Sequence, residues 1–135
     1  MPLKFFSFME SQQLIKIVVE CDPIPAARPR FNGRKCYQPA RDKDYRERVS
    51  WAAKLAMKGA EPLKGEICAE IKLYRKYKRT ARRFGDVDNH LKAIFDALSG
   101  IVIADDAQII RCVVSKHTDK ERPRAEIEIF SAQGV

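Results

Sequence analysis

The chain is poor in the residues that build zinc sites and disulfide scaffolds. Its 135 residues include four cysteines, Cys21, Cys36, Cys68 and Cys112, widely spaced and with no C-x-x-C pair, and only two histidines. That scarcity argues against a zinc ribbon and against a disulfide-stapled secreted fold, and predicts reduced, mostly buried thiols in a cytoplasmic protein. No apolar run approaches the roughly 18 residues of a membrane span. The opening segment from Met1 to Met9 is apolar but short, and no small-residue cleavage site follows it. Residues 1–12 are therefore expected to form an N-terminal extension and residues 13–135 one domain. With six glycines and seven prolines the chain is neither collagenous nor of low complexity. No internal repeat and no dividing linker is visible.

What the sequence does have is positive charge. Lysine and arginine number 26 against 18 acidic residues, a formal charge of +8, and hydrophobic residues at 45% suffice for a core. A small body with that charge favours a polyanionic partner: DNA, RNA or an anionic membrane surface. The charge is concentrated in two stretches. One is the Pro- and Gly-punctuated segment from Asp22 to Ala40, with Arg28, Arg30, Arg34 and Lys35. The other runs from Arg75 to Arg83 and holds six basic residues in nine, with no acid among them. Phe31, Tyr37, Tyr74, Tyr77 and Phe84 lie in or beside these stretches, so phosphate contacts and base stacking are available together. A basic run on its own is as often only a solvated face. The membrane is the weaker partner, because neither predicted helix combines a Lys/Arg-rich face with bulky apolar anchors.

Periodicity predicts the elements. Gln13 to Cys21 alternates as a strand, with Ile15, Ile17 and Val19 on one face and Leu14 and Val18 on the other. Apolar residues on both faces predict a central position for it. The segment from Asp22 to Ala40 is expected to be loop. A helix is predicted from Asp42 or Lys43 to about Lys58, carrying Tyr45, Val49, Ala52, Ala53 and Ala56 on one face and stopped at Gly59. Gly65 to Tyr74 is the cleanest strand. A second helix from about Asp88 to Ser99 buries Leu91, Ile94, Phe95 and Leu98, and Gly100 ends it. Ile109 to Lys116 and Ala125 to Phe130 are predicted strands, joined as a hairpin by Thr118 to Arg124. The order β-α-β-α-β-β predicts a single α/β (α+β) domain with one mixed sheet and two helices.

Carboxylates stand out against this basic background. Asp86, Asp88 and Asp96, then Asp105 and Asp106, repel the phosphates that the arginines attract. A divalent cation accounts for them: Mg²⁺ takes oxygen ligands, keeps several waters, and is held by one or two carboxylates plus substrate phosphate. At 100° per residue Asp88, Lys92 and Asp96 fall on one flank of the second helix, with Asn89 just beyond. Asp88 and Lys92 are neighbours at i, i+4, and Asp86 is placed to converge on Asp88 across the helix entrance. The helix N-terminus itself favours an anionic phosphate. Plainer uses exist for each group: an N-cap for Asp86 or Asp88, a surface pair for Asp88 and Lys92, a turn for Asp105 and Asp106. Their joint occurrence beside an arginine-rich loop favours a metal-dependent site.

The run Asp86-Val-Asp88-Asn89-His-Leu-Lys92-Ala-Ile-Phe-Asp96-Ala-Leu98 resembles the D-x-D-N-x-x-K-x-x-x-D-A-L signature of the RusA family of Holliday junction resolvases. Asp105-Asp106-Ala107-Gln108-Ile109, with Lys116 beyond, resembles that family's second block. Pro23-Ile-Pro25, Arg28-Pro-Arg30 and Tyr45-Arg46 fit its first half. The resemblance extends over residues 13 to 130. It implies a small homodimeric endonuclease, dependent on Mg²⁺ with Mn²⁺ an accepted substitute. Such an enzyme nicks four-way junction DNA symmetrically in recombination and repair, needs no nucleotide cofactor or membrane, and is often encoded by prophages. By position, Asp86, Asp88 and Asp106 would be the metal carboxylates and Lys92 the catalytic lysine. Asn89, Asp96 and Asp105 would support them. Arg28, Arg30, Arg75, Lys76, Lys78, Arg79, Arg82, Arg83 and Lys116 would carry the DNA. Ile103 departs from the pattern, standing where relatives often have an aromatic residue before the Asp pair. Two other functions compete: a metal-dependent nuclease for flaps, forks or RNA, and a non-catalytic nucleic-acid-binding module, which has no use for the acidic cluster.

Overall fold

A computed structural model describes residues 14–27, 30–32, 35–37 and 40–132, with side chains for all but 30–32 and 35–37. The N-terminal extension, Arg28 and Arg34, and the side chains of Arg30, Phe31, Lys35 and Tyr37 lie outside the described residues. In chain order the elements are β1 (Leu14–Val19), β2 (Arg30–Asn32), β3 (Lys35–Tyr37), α1 (Ala40–Met57), β4 (Ile67–Arg75), α2 (Val87–Leu98), β5 (Ile109–Thr118) and β6 (Arg124–Ser131). They build one α+β domain: a four-stranded mixed sheet in the order β1-β6-β4-β5, two helices, and a separate ribbon of β2 and β3. That ribbon lies inside the stretch expected to be loop.

The core follows from the alternations. Ile67, Ala69, Ile71 and Leu73 of β4 point inward and are buried, as are Ala125, Ile127 and Ile129 of β6. They meet Tyr45, Val49 and Ala53 of α1 and Ile94 and Leu98 of α2 in one continuous cluster. Burying each large aliphatic side chain contributes about 1.5–3 kcal/mol, so this cluster is the main support of the fold. In α2 the buried face is rotated slightly from the predicted stripe. His90, Ala93 and Ala97 join Ile94 and Leu98, while Leu91 and Phe95 are only half-buried. Asp88, Lys92 and Asp96 are exposed on the opposite flank, as the helical spacing requires. Gly100 follows the Ser99 cap at φ +87, a left-handed position that favours glycine.

Two expectations about the sheet are corrected. β1 is an edge strand, paired only with β6 and antiparallel to it. Its alternation is as predicted, but Leu14 and Val18 are 37% and 47% exposed, so the second apolar row has no layer over it. Apolar residues on both faces therefore did not signal a central strand here. The second correction is that β5 and β6 do not form a hairpin. β4 lies between them, parallel to β5 and antiparallel to β6. The connecting segment crosses the end of β4 instead: the Asp119 amide donates to the Arg75 carbonyl at 2.8 Å. The Asp119 carboxylate accepts from the Glu121 and Arg122 amides, each at 3.0 Å, and so shapes the crossing. A short polar link predicts adjacency only when no better-buried strand competes for the place between.

Candidate active site

The entrance to α2 positions the first two carboxylates. Asp86 is the N-cap residue, with extended backbone at φ −78 and ψ 147, yet its side chain makes no capping hydrogen bond. Its carboxylate is thus not consumed by the ordinary structural role for Asp at this place. Asp88 lies in the first turn, where one oxygen accepts from the Asn89 amide at 3.0 Å. The segment Asp22–Ala27 packs against this entrance. The Ala26 amide donates to the Asn89 carbonyl at 3.0 Å, and the Ala27 amide donates to the buried Asp42 carboxylate of α1 at 2.8 Å.

Lys92 sits one turn further on, but its partner is Asp96, at 3.4 Å, rather than Asp88. Asp106 of the following loop lies within electrostatic reach of both Asp96 and Lys92. That loop is built by its own capping. Asp105 accepts from the Ala107 amide at 3.3 Å. The Gln108 side-chain oxygen accepts from the amides of Ala104 at 2.7 Å and Asp105 at 3.0 Å. The Gln108 amide group donates to the carbonyls of Leu63 and Gly65, both at 2.9 Å. Asp105 therefore shapes the turn and leaves Asp106 presented to solvent. A hydrogen bond shared with the Asp105 carboxylate, in which Asp106 is the proton donor, is the main cause pushing the Asp106 carboxyl above the usual range; desolvation and then the charges of Asp105 and Asp96 add to it, and Lys92 opposes. The shared bond holds Asp105 below that range. Gln108 was not singled out from the sequence, although Asp105-x-x-Gln108 is a legible capping-box spacing.

Among the described residues, no three Asp, Glu, His or Cys side chains converge closely enough to hold a metal ion. Asp86, Asp88 and Asp106 are thus not a preassembled triad. Their chemistry still suits a hard cation. The donors are carboxylate oxygens open to solvent, and the Asp105–Asp106 pair carries like-charge stress that a divalent ion relieves.

The basic run divides into two kinds of residue. Lys76, Lys78, Arg79, Arg82 and Arg83 are exposed. Arg75, expected among the DNA contacts, is instead 4% exposed, and its guanidinium makes four hydrogen bonds inside the protein. It donates twice to the Asp22 carboxylate, each time at 2.9 Å, and to the carbonyls of Arg83 and Phe84 at 3.0 and 2.8 Å. Lys116 is half-buried, reaching the Arg79 carbonyl at 3.4 Å with its ammonium over the Phe84 ring. Phe84 itself is wholly buried and unavailable for base stacking. Tyr74 stacks on His117 beneath the Arg124 guanidinium, and Tyr77 lies under Arg75 and Lys76. Ile103 is a core residue, fully buried. Cys68 is buried, and Cys21 and Cys112 are half-buried free thiols whose pKa values burial raises. Among the described residues no helix is long and apolar enough to cross a membrane.

The chain is similar over 136 residues to YqaN of Bacillus subtilis (strain 168), an uncharacterized protein; the two are 29% identical, over 85% of this chain and 94% of YqaN. Residues 20–130 match the family described as endodeoxyribonuclease RusA. That span takes in the α2 flank, the Asp105–Asp106 loop and the exposed basic run. The chain therefore belongs to the RusA family of endodeoxyribonucleases, the Holliday junction resolvases.

Proposed function

We propose that this chain is a homodimeric, Mg²⁺-dependent and structure-selective endonuclease that resolves four-way DNA junctions by paired symmetric nicks. One observation carries the proposal. Asp88, Lys92 and Asp96 share the exposed flank of α2, Asp106 lies within electrostatic reach of that flank, and five exposed basic residues lead directly into the same helix. Asp86, Asp88 and Asp106 would hold the ion. When bound, it supplies polarisation of the scissile phosphate and a more acidic water. Lys92 is kept beside α2 by Asp96 and offers a compact positive charge to the phosphoryl group as negative charge builds on it. Asn89, tied through its carbonyl to Ala26, steadies the turn that carries Asp88. Lys76, Lys78, Arg79, Arg82 and Arg83 supply phosphate contacts. A two-fold dimer would set two such sites around one junction.

The test is cleavage of a synthetic four-way junction with Mg²⁺ and with EDTA. Two symmetric nicks with Mg²⁺ and none with EDTA are expected. A junction that is bound but never cut would favour the binding module. Preferential cutting of flaps, forks or RNA would favour a related nuclease.

A further inference from the structure

The junction between the basic run and α2 is held by two buried polar side chains, Arg75 and His90. Arg75, at the end of β4, donates to the Phe84 carbonyl at 2.8 Å. His90, on α2 and 1% exposed, approaches the same carbonyl with Nε2 at 2.6 Å. A carbonyl only accepts, so Nε2 carries the proton and His90 is the donor. Phe84 O thus receives two donors, one from the sheet and one from the helix. The next residue, Gly85, has φ +94, and a Cβ there would stand 2.6 Å from Pro25 Cγ and 2.9 Å from His90 Nε2. The residue after that is Asp86. The chain is therefore clamped at Phe84, allows no side chain at Gly85, and enters the helix carrying both carboxylates within the next three positions.

We propose that His90 and Arg75 are positioning residues for the Asp86–Asp88 carboxylates, acting through the Phe84 carbonyl. This rests on the proposed role of those carboxylates as metal ligands. Both side chains are buried and act through the backbone. Arg75 is braced by its two bonds to Asp22, and His90 turns with α2, so the shared carbonyl locks the helix entrance to the end of β4.

His90 is the residue to test, because removing Arg75 would strand the Asp22 carboxylate and risk unfolding the chain. His90→Leu fills the same pocket without a donor, and Phe84 O keeps its bond from Arg75. His90→Gln restores an N–H at similar reach. Three measurements are made on the full chain. Hydrogen exchange of the 85–89 amides, without metal, reads the order of the junction. Mn²⁺ binding, followed by water-proton relaxation, reads carboxylate placement. Gel shifts of a four-way junction in EDTA read DNA affinity. With His90→Leu, exchange in this segment should rise and Mn²⁺ affinity fall by about ten- to hundred-fold, as for other residues that orient metal ligands. DNA affinity should stay within about two-fold, and His90→Gln should recover most of the loss. Unchanged exchange, or Gln failing where Leu fails, would overturn the proposal. If exchange rises in His90→Leu while Asp88→Asn leaves Mn²⁺ binding untouched, the clamp stands and the ligand assignment of Asp88 falls instead.

Discussion

Lys92 separates a nuclease from a binding module at the level of one side chain. It is exposed, so Lys92→Ala should cost little stability. Single-turnover cleavage should nevertheless fall by orders of magnitude, with junction affinity changed a few-fold at most, because its charge matters most in the transition state. Normal cutting by that variant would reduce Lys92 to a surface partner of Asp96. Asp88→Asn removes a proposed metal ligand and a charge that repels phosphate, so it should abolish nicking and leave metal-free junction binding equal or tighter. Gel shifts in EDTA beside nicking assays with Mg²⁺ measure both effects. His90 sets a pH dependence of stability. Burial is the main cause holding it to about 4 in the folded chain, against 6.5 for an ordinary histidine; the Phe84 bond opposes this, and Arg75 and Lys116 add to it. Between those values the unfolded chain takes up a proton that the folded chain refuses. Its contribution is therefore full above pH 6.5, declines as the pH falls towards 4, and is flat below. Denaturant melts should show on the order of 2 kcal/mol more acid loss over that window than in His90→Gln.

At the scale of elements, the basic run and α2 form one functional unit, a charged loop delivering the chain into a carboxylate-bearing helix. Neutralising Arg79, Arg82 and Arg83 together should weaken junction binding. It should also flatten its salt dependence by roughly one log–log unit for each phosphate no longer neutralised. An unchanged slope would mean that the run faces away from DNA. Arg75 would not contribute to that slope, although it belongs to the same basic string. The string was legible in the sequence as a charge pattern, but its members' roles were not. The Arg75 side chain turns inward at the end of β4, where Asp22, 53 residues earlier, neutralises it. The Asp88–Lys92–Asp96 flank was fully legible, because helical spacing alone places residues four apart on one side.

The whole molecule presents its candidate site on one small domain, so the paired nicks proposed above call for a second copy. Sedimentation should give twice the chain mass. A mixed dimer of one active and one Asp88→Asn chain should nick the junction on one strand only. A protein that sediments as a monomer throughout the micromolar range and still cuts both strands would refute the dimer. The uncovered outer row of Leu14 and Val18 shows that one domain's helices do not enclose the whole sheet.

Local sequence was enough to say which stretches become the main strands and helices and which face of each turns inward, because those follow from periods of two and 3.6 residues. It also carried the full acidic pattern that marks the family. The choice of neighbours belongs to the folded chain. Folding placed β4 between β5 and β6, left β1 at the edge, gave Lys92 to Asp96 and turned Arg75 from solvent to Asp22. The strand order and the Arg75–Asp22 pair are competitions among partners far apart in the chain, and Asp106 from the next loop acts on both members of the Lys92–Asp96 pair. Burial and charge settle them only when all the partners are present together, and no local pattern encodes the outcome.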